Sequence, residues 1–216
     1  MSQTYGKTRW KRFAVVMVPT LVATAAVGVS VAQGALAASF SISGSQFKVS
    51  ADSLDGTGFT QYGNVDVQVP SAKETADGQK TPNLVPVAVS GFKSAIIDNL
   101  CQSVAVATPI GTYTLTIHAG QDPANPVTAD KLLIDMTDLK AKTATFTDIN
   151  IGVADSKVSD GPIEASVVNN SPDGFAQEAT SAKLTDVQQT AWATSAGTFN
   201  LNGMHLNIAS GNTGCF

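Results

Sequence analysis

Arginine is missing from the chain beyond residue 12, and charged residues of both signs make up only 14% of it. The first dozen residues hold four cations, whereas the rest holds nine lysines against all seventeen acidic residues, a net charge of about −8. Because a nucleic-acid binder needs a basic surface to displace counterions, this distribution excludes that class of partner. The chain is 43% apolar, enough for a hydrophobic core and unlike a highly charged disordered chain.

The sequence motifs of common enzymes are also missing. An acyl hydrolase with the usual nucleophile turn needs Gly-x-Ser-x-Gly. The only serine two positions after a glycine is Ser30, and Ala32 stands where the second glycine should be. The sequence has no HExxH, no CxxC and no phosphate-binding glycine loop before Lys-Ser/Thr. We therefore predict no catalytic, cofactor-binding or metal-binding residue, and the sequence favours a non-enzymatic protein.

What the first forty residues do contain is an export signal. Four cations precede a run without charge from Phe13 to Phe47, and small residues follow its apolar part. A basic start, an apolar stretch and a small-residue site are typical of a secretory signal. The small-residue site predicts cleavage at Ala37 or Ala38.

This signal divides the chain into a signal peptide or signal-anchor helix at 1–38 and an exported domain at 39–216. Residues 13–32 are long enough to span a bilayer, so an uncleaved anchor stays open beside cleavage. In both cases the positive end stays inside, and the domain is secreted or faces outward from the cytoplasmic membrane in the cell envelope.

Cysteine occurs only at Cys101 and Cys215, both in the exported part. An even pair in an oxidising compartment predicts a disulfide bond. Closing a loop of more than a hundred residues stabilises a fold by roughly 4–5 kcal/mol on the chain-entropy model. A reactive thiol is the alternative, but no cation or histidine lies next to either cysteine in the sequence to lower its pKa.

Apolar and polar residues alternate along most of the exported part, which predicts short β-strands. The clearest runs are 64–69, 85–89 and 112–118, and Asp-Gly and Pro-Asp-Gly turns separate such runs. Several runs change phase by one residue midway, as between Phe146 and Ile149 or at Gly203. A bulge or a corner produces such a slip. We therefore predict a single all-β domain, built as a β-sandwich or as a β-solenoid.

Two longer-range patterns accompany the strands. Residues 94–103 (SAIIDNLCQS) resemble 181–190 (SAKLTDVQQT), and 111–115 (GTYTL) resemble 197–201 (GTFNL). Stacked repeat units and chance similarity in a Thr/Ala-rich chain both explain this likeness. Outside the signal, the best helix candidate is 185–193, and 70–83 and 154–174 are predicted to be polar loops.

The remaining chemistry-bearing side chains have ordinary explanations. His118 and His205 each lie in a strand pattern, and exposure on a sheet face accounts for them without a metal or catalytic role. Asp130, Asp135 and Asp138 form a candidate carboxylate cluster. A partial calcium loop comprises Asn169, Ser171, Asp173 and Gly174, but Thr180 replaces its glutamate. Trp10 is a candidate interfacial anchor, and the role of Trp192 is open.

Several segments carry a family resemblance: MSQTYGKTRWKRFAVVMVP, AQGALAASFSISGSQFKV, DGTGFTQYG, VAVSGFKSAIIDNLCQS and LTDVQQTAWATSAGTF. They resemble an actinobacterial family of exported proteins that has no established function. Its members are often labelled cholesterol esterase and often sit beside a gene for a small multi-pass membrane protein. The resemblance implies an envelope location and such a membrane protein as a partner; the sequence lacks the residues that the esterase label requires.

Together these observations predict a non-enzymatic exported protein of the cell envelope with a structural, assembly or ligand-binding role. A lipid carrier with an apolar groove is one alternative. A lipid-ester hydrolase, acting on steryl or acyl esters with an unusual Ser/His site, is the other.

Overall fold

The structure is a computed structural model that describes residues 41–42, 45–74 and 80–216. The predicted signal, its cleavage site at Ala37 or Ala38, Trp10 and the boundary between 38 and 39 lie outside these residues. The elements are β1 (Ser41–Ile42), β2 (Phe47–Glu74), β3 (Lys80–Asp98), β4 (Leu100–Thr108), β5 (Gly111–Ala119), β6 (Val127–Lys140), β7 (Thr143–Thr147), β8 (Asn150–Ala154), α1 (Ala165–Asn170), β9 (Phe175–Ser195), β10 (Thr198–Asn200) and β11 (His205–Ser210). A short 3-10 helix covers Asp155–Lys157. The all-β prediction is confirmed.

The strands form one sheet in the order β11-β5-β4-β2-β3-β6-β9-β7, with β1, β8 and β10 attached beside it. An additional ladder between β2 and β9 closes β2, β3, β6 and β9 into a ring of four antiparallel strands. The sheet therefore curls until it pairs with itself. This arrangement replaces the two alternatives that the sequence left open, a sandwich of two sheets and a solenoid.

The main core fills the ring. Its members come from all four ring strands, and Phe59 packs between Phe92 and Phe146 with ring centroids 5.4 and 5.1 Å apart. Each fully buried Leu, Ile or Phe side chain contributes about 1.5–3 kcal/mol by leaving water. This packing holds the long, twisted ring strands in place.

Strands β2, β3 and β9, with 28, 19 and 21 residues, are longer than the short strands that the sequence predicted. Asn99, Lys131, Asp148 and Asp186 have φ between 47° and 52°. Each follows Asp or Thr and precedes an aliphatic residue. Lys131 lies within β6 and Asp186 within β9, whereas Asn99 separates β3 from β4 and Asp148 lies between β7 and β8. The slips predicted between Phe146 and Ile149 and at Gly203, which has a φ of 65°, fall at the junctions of β7 with β8 and of β10 with β11.

The internal repeat has a structural counterpart. Segment 94–98 in β3 and segment 181–185 in β9 flank β2 on its two sides in the same register, so that Gly56 pairs with both Ala95 and Ala182. The kinked residues Asn99 and Asp186 occupy equivalent positions in the two copies. The likeness therefore reflects two equivalent partners of one strand, and the copies do not stack as a solenoid.

Three segments differ from what their local sequence suggests. Residues 185–193, the best candidate in a domain with no convincing helix signal, lie in β9, where every second residue is buried. The predicted loop at 70–83 is occupied at both ends by strand, since β2 runs to Glu74 and β3 starts at Lys80. Segment 154–174 holds the one α-helix of the described residues, α1, and the 3-10 helix.

Segment 155–174, hereafter the strap, covers one face of the sheet. Ser159 and Asp160 donate backbone N–H groups to the Glu178 carboxylate over 2.7 and 2.9 Å. Thr60 donates from its hydroxyl to the carbonyl oxygen of Pro162 over 2.6 Å. Gly161 permits this approach, because a Cβ there would collide with the carbonyl oxygen of Gly58.

Candidate functional site

Strands β4, β5 and β11 extend from the ring as a three-stranded wing, in which β11 is the outer strand. Residues 99–121 and 187–216, which include all three strands, contain no Asp, Glu, Lys or Arg. In an acidic domain, all three strands of the wing are thus uncharged, as is the second half of the ring strand β9. A charge count over the whole domain does not reveal these two charge-free segments.

One face of the wing is apolar and open to solvent. Val104 pairs with Leu115, and Leu115 pairs with Ile208, so the three side chains form a row across β4, β5 and β11. Ile208 is 63% exposed, and Ile110 at the tip of the β4–β5 hairpin is 82% exposed. The other apolar members of this face are Val106, Tyr113, Ile117 and Leu206. Contiguous exposed apolar surface of this kind marks interaction sites.

The opposite face of the wing is polar, and the last residues of the sequence cross it. Cys101 and Cys215 are joined with their sulfur atoms 2.04 Å apart. Cys215 also donates its backbone N–H to the Ser103 hydroxyl over 3.0 Å, and Thr114 donates its hydroxyl to the carbonyl oxygen of Gly211 over 2.6 Å. Lys48 Nζ donates to the backbone oxygen of Phe216 over 2.7 Å. These bonds fix segment 211–216 on the polar face.

A cleft of about 610 Å³ opens between this segment and the sheet. It brings together the only two histidines of the chain, because His118 in β5 and His205 in β11 are direct cross-strand partners. Cys101 in β4 pairs with His118 on its other side, and Ser50 in β2 pairs with Cys101. The sequence analysis treated the two histidines as separate exposed residues, since nothing local indicates that β5 and β11 pair.

The other wall of the cleft is formed by β2 and by the two left-handed residues on either side of it, Asn99 and Asp186. Asp52 lies between Asn99 and Asp186, and Asn99 Nδ2 donates to Asp52 Oδ2 over 3.1 Å. Asp186 also forms an ion pair with Lys142 at 3.3 Å. The described residues that line the cleft include these two carboxylates but no lysine or arginine, so its electrostatic potential favours neutral or cationic molecules.

The cleft does not contain an assembled nucleophile. Neither imidazole forms a hydrogen bond to a hydroxyl group of the described residues, whereas a serine activated by a base needs one of about 2.6–3.2 Å. Ser50 is separated from His118 by the whole of strand β4, which places them roughly 10 Å apart at the usual strand spacing.

A second polar cluster lies buried beneath the strap. Asp66 and Asp135 are each only 3% exposed, and each keeps one carboxyl oxygen without a hydrogen-bond partner among the described residues. Glu164 of the strap accepts a hydrogen bond from Asn64 Nδ2 over 2.8 Å and donates its backbone N–H to the Tyr62 hydroxyl over 3.1 Å. The strap thus carries a third carboxyl group toward two that are already buried.

Burial governs the protonation of this cluster. Desolvation, reinforced by the charges of Asp66 and Glu164, raises the pKa of Asp135 to about 8. Desolvation and the Glu164 charge raise the pKa of Asp66 to about 6. Burial also raises the pKa values of Glu164 and Tyr62. At neutral pH, Asp135 is therefore largely a neutral acid.

The remaining candidates from the sequence do not converge. Asp130 and Asp138 are exposed, whereas Asp135 is buried, so the predicted carboxylate cluster does not form; Asp135 joins Asp66 instead. Within the described residues, no group of three or more His, Cys, Asp or Glu side chains is placed to hold a metal ion, including the partial calcium loop at 169–174. Trp192 packs against the smaller core cluster that contains Tyr62, and its buried indole nitrogen has no hydrogen-bond partner among the described residues.

The ring itself encloses a second, more apolar cavity of about 200 Å³. Its walls include Leu54, Phe59, Ile134 and Phe146. Pockets for drug-sized ligands usually measure about 300–1,000 Å³, so this cavity suits only a small apolar group.

Within the described part of the chain, no helix is long and apolar enough to cross a membrane. Comparison with curated proteins and with solved structures gives no match to this chain. Comparison with protein families matches residues 43–216, which span the ring, the strap and the wing, to DUF6230. The chain therefore belongs to DUF6230, a family of unknown function.

Proposed function

We propose that this protein is an exported, non-enzymatic domain of the cell envelope that docks through the apolar face of its wing onto an integral membrane protein. The observation that carries the proposal is the uncharged wing with its apolar row of Val104, Leu115 and Ile208, in which Ile208 is exposed and the other two are partly buried. The Cys101–Cys215 disulfide supports export, because such bonds persist in oxidising compartments.

The choice of a protein over a lipid surface rests on charge. Peripheral proteins usually hold anionic membranes through Lys and Arg side chains near the bilayer. The wing has none, and the rest of the domain is acidic. An apolar, uncharged sheet face suits the apolar surface of another protein, and the outer strand β11 also offers unpaired backbone groups for strand addition.

No specific observation supports either alternative function, a lipid carrier or a lipid-ester hydrolase. The ring cavity of about 200 Å³ is small for a lipid carrier. The cleft holds both histidines, and no hydroxyl group of the described residues is hydrogen-bonded to either of them, so this part of the chain offers an ester hydrolase no activated nucleophile.

Site-specific photocrosslinking in cells tests the proposal. A photoreactive amino acid at position 208 faces the apolar side of β11, and the same residue at position 207 faces the polar side. We expect position 208 to give a discrete adduct with a membrane protein and position 207 to give none. This readout is independent of whether the N-terminal segment is cleaved.

Adducts of position 208 with lipid alone, or no adduct at either position, would overturn the proposal. Ile208→Lys provides a second measurement, because a charge on this face should abolish the complex. Asn207→Lys is the matched control on the same strand and should leave the complex intact.

A further inference from the structure

The polar face of the wing holds a feature that docking of the apolar face does not use. His118 and His205 are the only histidines of the chain, and the fold makes them direct partners on neighbouring antiparallel strands. Residues paired in this way project to the same face, with Cβ atoms about 4.5–5.5 Å apart. Both side chains line the same cleft.

From this juxtaposition we infer that His118 and His205 form a two-imidazole chelate for a borderline divalent transition-metal ion, of the class of Zn²⁺ or Cu²⁺. Imidazole nitrogen is a preferred ligand for these ions. A metal–nitrogen distance of about 2.0–2.1 Å allows one ion to bridge two rings that start from opposed Cβ atoms.

The two rings are available for a metal. Neither His118 nor His205 forms a hydrogen bond or an ion pair with another described residue, so no internal partner competes for their nitrogen atoms. His118 is partly buried and His205 is exposed where they line the cleft, which leaves room for an ion from solvent.

The surroundings favour a cation and hold the two strands in place. Asp52 places negative charge on the facing wall, and the charge of Asp186 there is offset by its ion pair with Lys142, while none of the described residues lining the cleft is a lysine or arginine. His118 also pairs with Cys101, whose disulfide fixes β4 beneath it. No third His, Cys, Asp or Glu of the described residues converges on the pair, so water completes the coordination shell.

A bound ion would join the outer strand β11 to β5. Such a site lies on the polar face, whereas the proposed docking surface lies on the apolar face, so the two proposals can fail separately. Loss of metal binding would leave the crosslink from position 208 unchanged, and loss of the crosslink would leave metal binding unchanged.

Calorimetric titration of the oxidised, tag-free protein with ZnCl₂ at pH 7.5 tests the inference, and electron paramagnetic resonance with CuCl₂ counts nitrogen ligands. We expect one ion per chain, two equatorial nitrogens on Cu²⁺ and a rise in Tm with metal. His118→Gln and His205→Gln should each weaken binding at least about tenfold. Asn207→Ala, a neighbour on the same face of β11, should retain the affinity.

Circular dichroism of each variant separates loss of a ligand from loss of the fold. A folded His205→Gln variant that binds Zn²⁺ as tightly as the unaltered protein would overturn the inference. So would a stoichiometry of zero, or a Cu²⁺ spectrum that changes in only one of the two histidine variants.

Discussion

Asp135→Asn should make the protein more stable at pH 8, by an amount that shrinks steadily as the pH falls toward 4. Burial raises the pKa of Asp135 to about 8 from an ordinary 3.8, so between these values the folded state holds a proton that the unfolded chain releases. Stability is therefore fully present below about pH 4 and falls as the pH rises toward 8. One proton corresponds to a slope of about 1.4 kcal/mol per pH unit, an upper value for a group that can relax toward water. Asp66, whose pKa is raised to about 6, steepens the lower half of this window.

Urea unfolding at pH 5, 6, 7 and 8 measures the slope directly. Asparagine has the shape of the neutral acid and cannot ionise. The free energy of unfolding of the variant should therefore fall less steeply with pH, by the contribution of about one proton. Asp138→Asn is the matched control, since Asp138 is an exposed residue of the same strand. A stability that is flat or rises from pH 5 to 8 would refute the reasoning, as would an Asp135→Asn variant with an unchanged slope.

Two further predictions concern the disulfide bond and the close contact between the strap and β2. Cys101→Ser combined with Cys215→Ser should lower the free energy of unfolding by roughly 4–5 kcal/mol, because the bond joins positions 114 residues apart. Guanidinium unfolding measures this loss, and the unaltered protein with reductant should show the same loss. Gly161→Ala should cost about 1–3 kcal/mol, since its Cβ would meet the Gly58 carbonyl oxygen, whereas Gly63→Ala, with open space around its Cβ, should cost less than half of that in the same assay.

The sequence predicted most strands because period-two alternation is a local signal. The runs around 64–69, 85–89 and 112–118 all lie in β2, β3 and β5. Closure of the ring could not be predicted in this way, since the β2–β9 ladder joins segments far apart in the chain. Residues 185–193 gave no clear strand prediction because a Gln/Thr/Ala-rich segment has no strong strand signal of its own. Polar residues at 70–74 and 80–83 suggested a loop, yet the backbones of the two segments pair as the ends of β2 and β3.

The candidate site was less predictable than the fold. The pairing of His118 with His205 depends on the position of β11 beside β5, and the burial of Asp135 depends on the strap. No residue near either site reports these long-range contacts. The charge-free segments 99–121 and 187–216 were a usable signal, because they include all three strands of the wing, together with β10 and half of β9.

The two similar partners of β2 impose an order on folding. β3 follows β2 directly in the chain, so pairing them closes a much shorter loop than pairing β2 with β9 and costs less entropy. β3 therefore reaches its side of β2 first, and the other side stays unpaired until β9 has been synthesised and delivered. An unpaired aliphatic strand edge is prone to associate with other chains. The yield of folded protein should then depend on how quickly the last third of the chain arrives, more than on the stability of the finished ring.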